Sequence, residues 1–278
     1  MKHAVILVVY QKQLADCEAG KTLSLALPEE CVVCVYDNSE NAFGNLSFSE
    51  KQGWIYLTEG QNNGIATAYQ SCIDRLLATG FEGWISIFDD DTQICSDYFT
   101  ALDHACADRP NCSLFFPLLY AGDKLISPQI IPINQHARYF DSKRDCLTYT
   151  GENLYAFNSG MAVHSRVYEQ IRYDTRLFLD GVDYSFLRDC YRAGFQAASF
   201  GAEMIHGFSG TQSLSYEAAL KRFENYARDH GIVLQENSGG YIYLIGKRAL
   251  HLALLYKKTI FLRIFWKYRP KGAQNHEI

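Results

Sequence analysis

The chain has 278 residues, 48% of them hydrophobic, which is enough for a substantial core and excludes a disordered or fibrous protein. Its net charge of −5 argues against nucleic-acid binding and conceals an asymmetry: residues 241–278 hold eight Lys or Arg against one Glu, about +7, so residues 1–240 sum to about −12. Nine cysteines in a chain that starts MKHAVILVVYQKQ, with seven apolar residues in a row and no small-residue cleavage site, fit a reducing cytoplasm better than a disulfide framework.

In chain order, four short β-branched runs read as strands: HAVILVVY (3–10), CVVCVYD (31–37), GWIYLTE (53–59) and GWISIFDD (83–90). Cys31 and Cys34 fall on opposite faces of the second run and read as core thiols rather than a redox pair. Residues 12–26 and 65–79 read as helices between the strands. In the second of these, Ile65, Tyr69, Cys72, Ile73 and Leu76 make one apolar stripe. The alternation predicts a parallel sheet flanked by helices, the Rossmann-like α/β class. Beyond about residue 112, strands interrupted by Pro and Gly are expected, and the polar stretch 134–154 reads as a substrate-facing loop. Order returns near AFNSGMAVHSRVYEQI. In FLDGVDYSFLRDCYRAGF a helix is expected with Asp180 as its N-cap and Val182, Phe186 and Cys190 as its buried stripe. No uncharged run reaches the roughly 18 residues that cross a bilayer.

Ligands of such sheets lie beyond the carboxyl ends of the strands, and polar residues gather there: YDNS (36–39), EGQNNG (59–64) and FDDDT (88–92). The glycine-rich dinucleotide and P-loop fingerprints are absent, which removes both chemistries. Asp89, Asp90 and Asp91 would repel one another unless a cation, a hydrogen-bonded sugar or water offsets their charge. Their oxygens suit Mg²⁺ or Mn²⁺, which takes one or two carboxylates and completes its shell with substrate phosphates. The competing reading is a solvated turn in which Asp91 or Thr92 caps the next helix.

The ordered set VVYQ, YDNS, NNGIATAYQSCID, FDDDT, FNSGMAVHSRVYEQI, FLDGVDYSFLRDCYRAGF and IHGFSG, over residues 3–210, resembles family 2 glycosyltransferases of the GT-A fold. It looks most like the bacterial rhamnosyltransferase-type members that build surface polysaccharides. The resemblance implies a GT-A domain over 1–210 and a basic helical extension over 211–278. It implies that Tyr10 and Asp37 lie around a nucleobase with Asn38 and Ser39 behind them, and that Asn63 and Gly64 line the nucleotide pocket. Asp89, with Asp90 beside it, would face the ribose or donor sugar, and Asp91, joined by His206, would hold the Mg²⁺ or Mn²⁺. Asp183, or failing it Asp180, would take the proton from an acceptor hydroxyl. The implied reaction is transfer, with inversion, of a sugar such as rhamnose from a dTDP- or UDP-sugar to a growing polysaccharide or lipid-linked acceptor.

Two other functions remain open on the sequence. A non-catalytic sugar-nucleotide-binding protein would have lost part of this acidic set. A nucleotidyltransferase would carry a basic glycine-rich loop after its first strand, where only Lys12 stands. The tail YIYLIGKRALHLALLYKKTIFLRIFWKYRP has a composition suited to peripheral contact with an anionic membrane at its cytoplasmic face. Packing of the tail on the body, or a homo-oligomer contact, is the competing account.

Overall fold

The computed structural model describes residues 1–131, 137–150, 153–207 and 215–270, with His206 described by its backbone alone. β1 (His3–Val9), α1 (Glu18–Ala26), β2 (Val32–Asp37), α2 (Asn45–Gln52), β3 (Ile55–Thr58), α3 (Ile65–Ala78) and β4 (Trp84–Asp89) alternate. β5 (Thr92–Gln93), α4 (Tyr98–Asp108), β6 (Cys112–Ala121), β7 (Lys124–Ser127), β8 (Gln129–Ile130), α5 (Lys143–Thr148), β9 (Leu154–Tyr155), β10 (Ala162–His164), α6 (Val182–Arg192) and β11 (Gln196–His206) follow. Three helices come last: α7 (Tyr216–Val233), α8 (Ser238–Tyr256) and α9 (Ile260–Tyr268).

Among the described residues the main sheet runs β3-β2-β1-β4-β10-β6-β11-β5, with β7 beside β6. The first four are parallel, as the alternation predicts; β10 runs against both β4 and β6. Every residue of β1 is buried, because helices cover both faces of the sheet. Each fully buried aliphatic side chain there, such as Ile6 or Leu7, stabilises the fold by ~1.5–3 kcal/mol. On α3, Tyr69, Cys72, Ile73 and Leu76 of the expected stripe are buried, with the helix packed on β1 and β2, while Ile65 at its start is only half-buried. Val182, Phe186 and Cys190 are likewise buried on α6.

Three local expectations change. The first helix starts at Glu18, not near residue 12, because Gln11 takes a left-handed φ of 53° and the Leu14 amide bonds to the Asn45 side chain at 2.8 Å. The polar stretch expected as loop contains α5, capped by Ser142, with Cys146 buried; residues 132–136 and 151–152 lie outside the described residues. Finally, α6 begins at Val182, so Asp180 lies two residues ahead of it and outside the cap position.

The chain forms two compact units, residues 1–173 with 183–208, and residues 174–182 with 209–278. The second has its own core of Phe223, Ala227, Tyr241, Ile245, Ala249, Phe261, Ile264 and Phe265. Asp229 on α7, 0% exposed, secures the 174–182 segment by accepting the Leu179 and Asp180 amides at 2.8 and 3.0 Å.

Burial fixes a pH dependence of stability. His3, His164 and His230 all have pKa values below the ordinary 6.5, with burial the leading cause in each; at His3 the Asp103 carboxylate at 3.0 Å pulls upward without prevailing. Below pH 6.5 the unfolded chain therefore binds protons that the folded chain refuses. Stability from these groups is complete above that pH and is lost below it. The melting temperature should fall between pH ~7.5 and ~5.5, and His230→Gln should flatten part of that slope.

Candidate active site

Strand register builds the site. β1 and β2 pair Val9 with Asp37, and β1 and β4 pair Val8 with Asp89, so three carboxyl ends meet where the strand order reverses. Tyr10, 43% exposed, follows β1 with its ring accessible. Asp37 is buried, and its carboxylate accepts from the Ser39 amide at 3.1 Å, the Asn45 side chain at 2.8 Å and the Tyr56 hydroxyl at 2.9 Å. Asn38 Oδ1 accepts the Asn63 amide at 2.9 Å, and Ser39 Oγ accepts the Gln11 amide at 2.7 Å. Asp37, Asn38 and Ser39 thus tie the segments after β1 and before α3 to the end of β2. Gly64 precedes α3 at φ +85°, ψ 164°, backbone that L residues rarely adopt. A cavity of about 340 Å³ lined by Gln11, Lys12, Gln13, Asp16, Cys17 and Phe43 opens here.

The three aspartates differ in their surroundings. Asp89 Oδ1 accepts the Tyr69 hydroxyl at 2.7 Å, while its amide donates to Ser159 Oγ at 3.3 Å. Asp90 is held by Lys12 Nζ at 2.5 Å and by the Tyr10 amide at 3.1 Å. Burial lowers the Lys12 pKa, but the hydrogen bond and charge of Asp90, with Asp91 adding to them, outweigh it and raise the net value. A basic partner absent from the neighbouring sequence is therefore supplied from 78 residues away.

Asp91 turns the chain into β5. Thr92 lies opposite His206 in the antiparallel pairing of β5 with β11, and the Gly207 amide donates to the Asp91 carbonyl at 3.2 Å. Thr92 is accordingly a buried strand residue, its Oγ1 2.5 Å from Ser159 Oγ, and the cap of α4 falls at Asp97. The pairing carries the His206 backbone to the aspartate corner. Among the described side chains, no group of three His, Cys, Asp or Glu converges. Asp89, Asp90 and Asp91 offer carboxylate oxygens, the donor type that Mg²⁺ and Mn²⁺ take, with phosphate and water commonly completing the shell.

Asp183 occupies the first turn of α6, where the helix dipole favours an anion, and its Oδ1 accepts the Tyr184 amide at 2.7 Å. It lines a cavity of about 120 Å³ with Gln129, Tyr155 and Phe157. Tyr69 and Tyr173, both buried, lie with their rings 5.3 Å apart. Burial is the main cause that lifts their pKa values far above the ordinary one, and the charges of Asp89 and Asp183 raise both further. The Tyr69 hydroxyl that donates to Asp89 thus belongs to the same buried aromatic pair as Tyr173. Asp180 is engaged otherwise: Arg222 grips both of its oxygens, Nη2 to Oδ1 at 2.7 Å.

No family model and no curated protein matches the chain. Solved structures do. Residues 1–349 of S. aureus TarS superpose with a TM-score of 0.54 at 13% identity, over 100% of this chain and 94% of that one. The mannosyltransferase PcManGT from Pyrobaculum calidifontis, in complex with GDP-Man and Mn²⁺, gives 0.56 at 13% identity, over 85% of this chain and 65% of that one. The chain has the GT-A fold. A longer TarS structure gives 0.53 at 14% identity over 85% of this chain, which spans 40% of that protein's length. At such identities the likeness is one of fold and does not single out a rhamnosyl branch.

Within the GT-A fold, a larger cavity of about 590 Å³ lies at the opposite end of the sheet, where Cys112 and Gln196 begin β6 and β11. The candidate carboxylates do not line it. Four residues at the site escape a reading by sequence. Lys12 was isolated by chain distance, and Tyr69 was legible only as part of an apolar stripe. Ser159, which touches Asp89 and Thr92, lies in the FNSG segment, and Tyr173, whose hydroxyl donates to Asn158 at 2.8 Å, follows it. The polar tips of the tyrosines were the available signal: a buried phenol needs an acceptor.

Proposed function

We propose that the protein is an inverting, metal-dependent glycosyltransferase that transfers a sugar from a nucleoside diphosphate to a hydroxyl of a saccharide or lipid-linked acceptor. The observation that carries this reading is a GT-A fold in which Asp89, at the carboxyl end of β4, accepts the buried Tyr69 hydroxyl at 2.7 Å, while Asp183, in the first turn of α6, lines a cavity of its own. Structures of similar fold hold UDP-GlcNAc in one case and GDP-Man with Mn²⁺ in another, which supports a sugar-nucleotide donor. The rhamnosyl resemblance makes dTDP-rhamnose the first donor to test, followed by UDP-sugars.

In this mechanism the exposed Tyr10 ring receives the nucleobase, while Asp37, Asn38 and Ser39 fix the backbone beneath it and Asn63 and Gly64 border the nucleotide. Asp89 orients the ribose or donor sugar with Tyr69 fixing its carboxylate, and Asp90 holds Lys12 alongside. Asp91 and His206 would hold the Mg²⁺ or Mn²⁺, whose positive charge favours departure of the diphosphate. Asp183 accepts the proton of the acceptor hydroxyl, whose oxygen bonds to the anomeric carbon as the bond to the diphosphate oxygen breaks on the opposite face. No covalent intermediate forms on the protein, and the configuration inverts.

The purified protein, incubated with dTDP-rhamnose and with UDP-sugars, an acceptor hydroxyl and Mn²⁺, should release nucleoside diphosphate. Release of pyrophosphate from a nucleoside triphosphate and a sugar phosphate would instead identify a nucleotidyltransferase. Donor binding without either product would identify a non-catalytic protein.

A further inference from the structure

One face of α8 packs inward: Tyr241, Ile245 and Ala249 are fully buried against Phe261 and Phe265 of α9 and Phe223 of α7. A helix in this position should turn a polar face to water. Instead Tyr243, Leu250 and Leu254, spaced seven and four residues apart on one stripe, are 58%, 54% and 70% exposed, with Leu255 at 60% beside them. On α9, Phe261, Ile264 and Phe265 are buried while Trp266 stands 61% exposed.

The charges around this apolar stripe share one sign. Residues 238–270 contain Lys247, Arg248, Lys257, Lys258, Arg263, Lys267 and Arg269 and no Asp or Glu. Some are engaged within the unit: Lys267 pairs with Glu224 of α7 at 2.8 Å, Arg248 lies over Tyr226 and Arg269 over Trp266. Lys247, Lys257 and Arg263 are exposed.

We propose that the outward face of α8 and α9 docks on an anionic lipid surface. Leucine and Trp side chains would enter the boundary between headgroups and acyl chains, while the lysines and arginines lie among anionic headgroups. The charge pattern selects lipid over a second copy of the chain. A two-fold contact sets one patch against itself, and here it would oppose cation to cation with no Asp or Glu on α8 or α9 to relieve them. No described helix is long and apolar enough to cross a membrane, so the helices would lie along the surface.

The test is co-sedimentation of the 278-residue chain with vesicles of phosphatidylcholine, with and without phosphatidylglycerol. Binding is expected with the anionic vesicles alone and should weaken severalfold as salt rises. The pair Leu250→Glu and Leu254→Glu should lower binding about tenfold or more, since two apolar side chains would no longer leave water. Lys257→Glu with Arg263→Glu should do the same without touching an apolar group. All four positions are exposed, so the circular-dichroism melts should match that of the parent. Equal pelleting with neutral vesicles, or undiminished binding by both variant pairs, overturns the proposal. A dimer in light scattering that the Leu→Glu pair dissolves also overturns it and assigns the face to a second copy.

Discussion

Asp183→Asn is expected to lower turnover about 10²–10⁴-fold, the range attached to a positioned general base, while leaving the donor KM close to its parent value. The amide retains the shape of the carboxylate and can still accept the Tyr184 N–H at the start of α6, so the helix should persist. What it loses is the capacity to take a proton. Asp180→Asn should behave differently. It leaves the Arg222 guanidinium without its bidentate partner, and because that guanidinium is 38% exposed, water makes good part of the loss. A stability cost of ~1–2 kcal/mol is expected, with turnover kept within about tenfold of the parent. Melting curves and initial rates on the two variants separate the roles. A collapse of turnover in Asp180→Asn at unchanged stability, with Asp183→Asn active, would transfer the base to Asp180 and break the reading built on Asp183.

Tyr69 and Tyr173 mark the limit of what the sequence discloses. The parallel half of the sheet was legible because its strands are short β-branched runs, and because each change of period between strand and helix leaves a mark on hydrophobicity. The position of the polar clusters at the strand ends was legible for the same reason: once the strands are in register, Asp37 and Asp89 must lie at the same edge. The pairing that completes the site was not. Lys12 meets Asp90 across 78 residues, and β5 meets β11 through two residues too few to leave a periodic signal. The resemblance ranked Asp183 ahead of Asp180 as the base, but the residues alone show only two acids near a helix start. The side chain that separates them, Arg222 of α7, which holds Asp180, comes from a distant segment. The resemblance to family 2 glycosyltransferases supplied an ordering of motifs but not these contacts, and the TarS and PcManGT structures compared above share only 13–14% identity with the chain.

On the proposed mechanism Asp91→Ala should lower metal-dependent turnover by about 10²–10⁴-fold, because charge stabilisation worth several kcal/mol at the leaving diphosphate would depend on a cation held there. The fold should survive. The contact that joins β5 to the residue after β11 uses the Asp91 carbonyl, accepting the Gly207 amide at 3.2 Å, and alanine keeps that carbonyl. Binding can be read apart from activity by titrating Mn²⁺ into the protein with a nucleoside diphosphate present and following the loss of the free-ion electron spin resonance signal. Asp91→Ala should weaken that uptake at least tenfold, and His206→Ala should weaken it less. Asp90→Ala is the informative contrast. It removes the acceptor of Lys12 and of the Tyr10 amide, so its expected effect is a higher donor KM with Mn²⁺ uptake largely kept. If Asp90→Ala abolished ion uptake while Asp91→Ala spared it, the cation would belong to the middle aspartate. Lys12, bonded to Asp90 in the structure described here, would then have to move off that carboxylate before an ion could take its place.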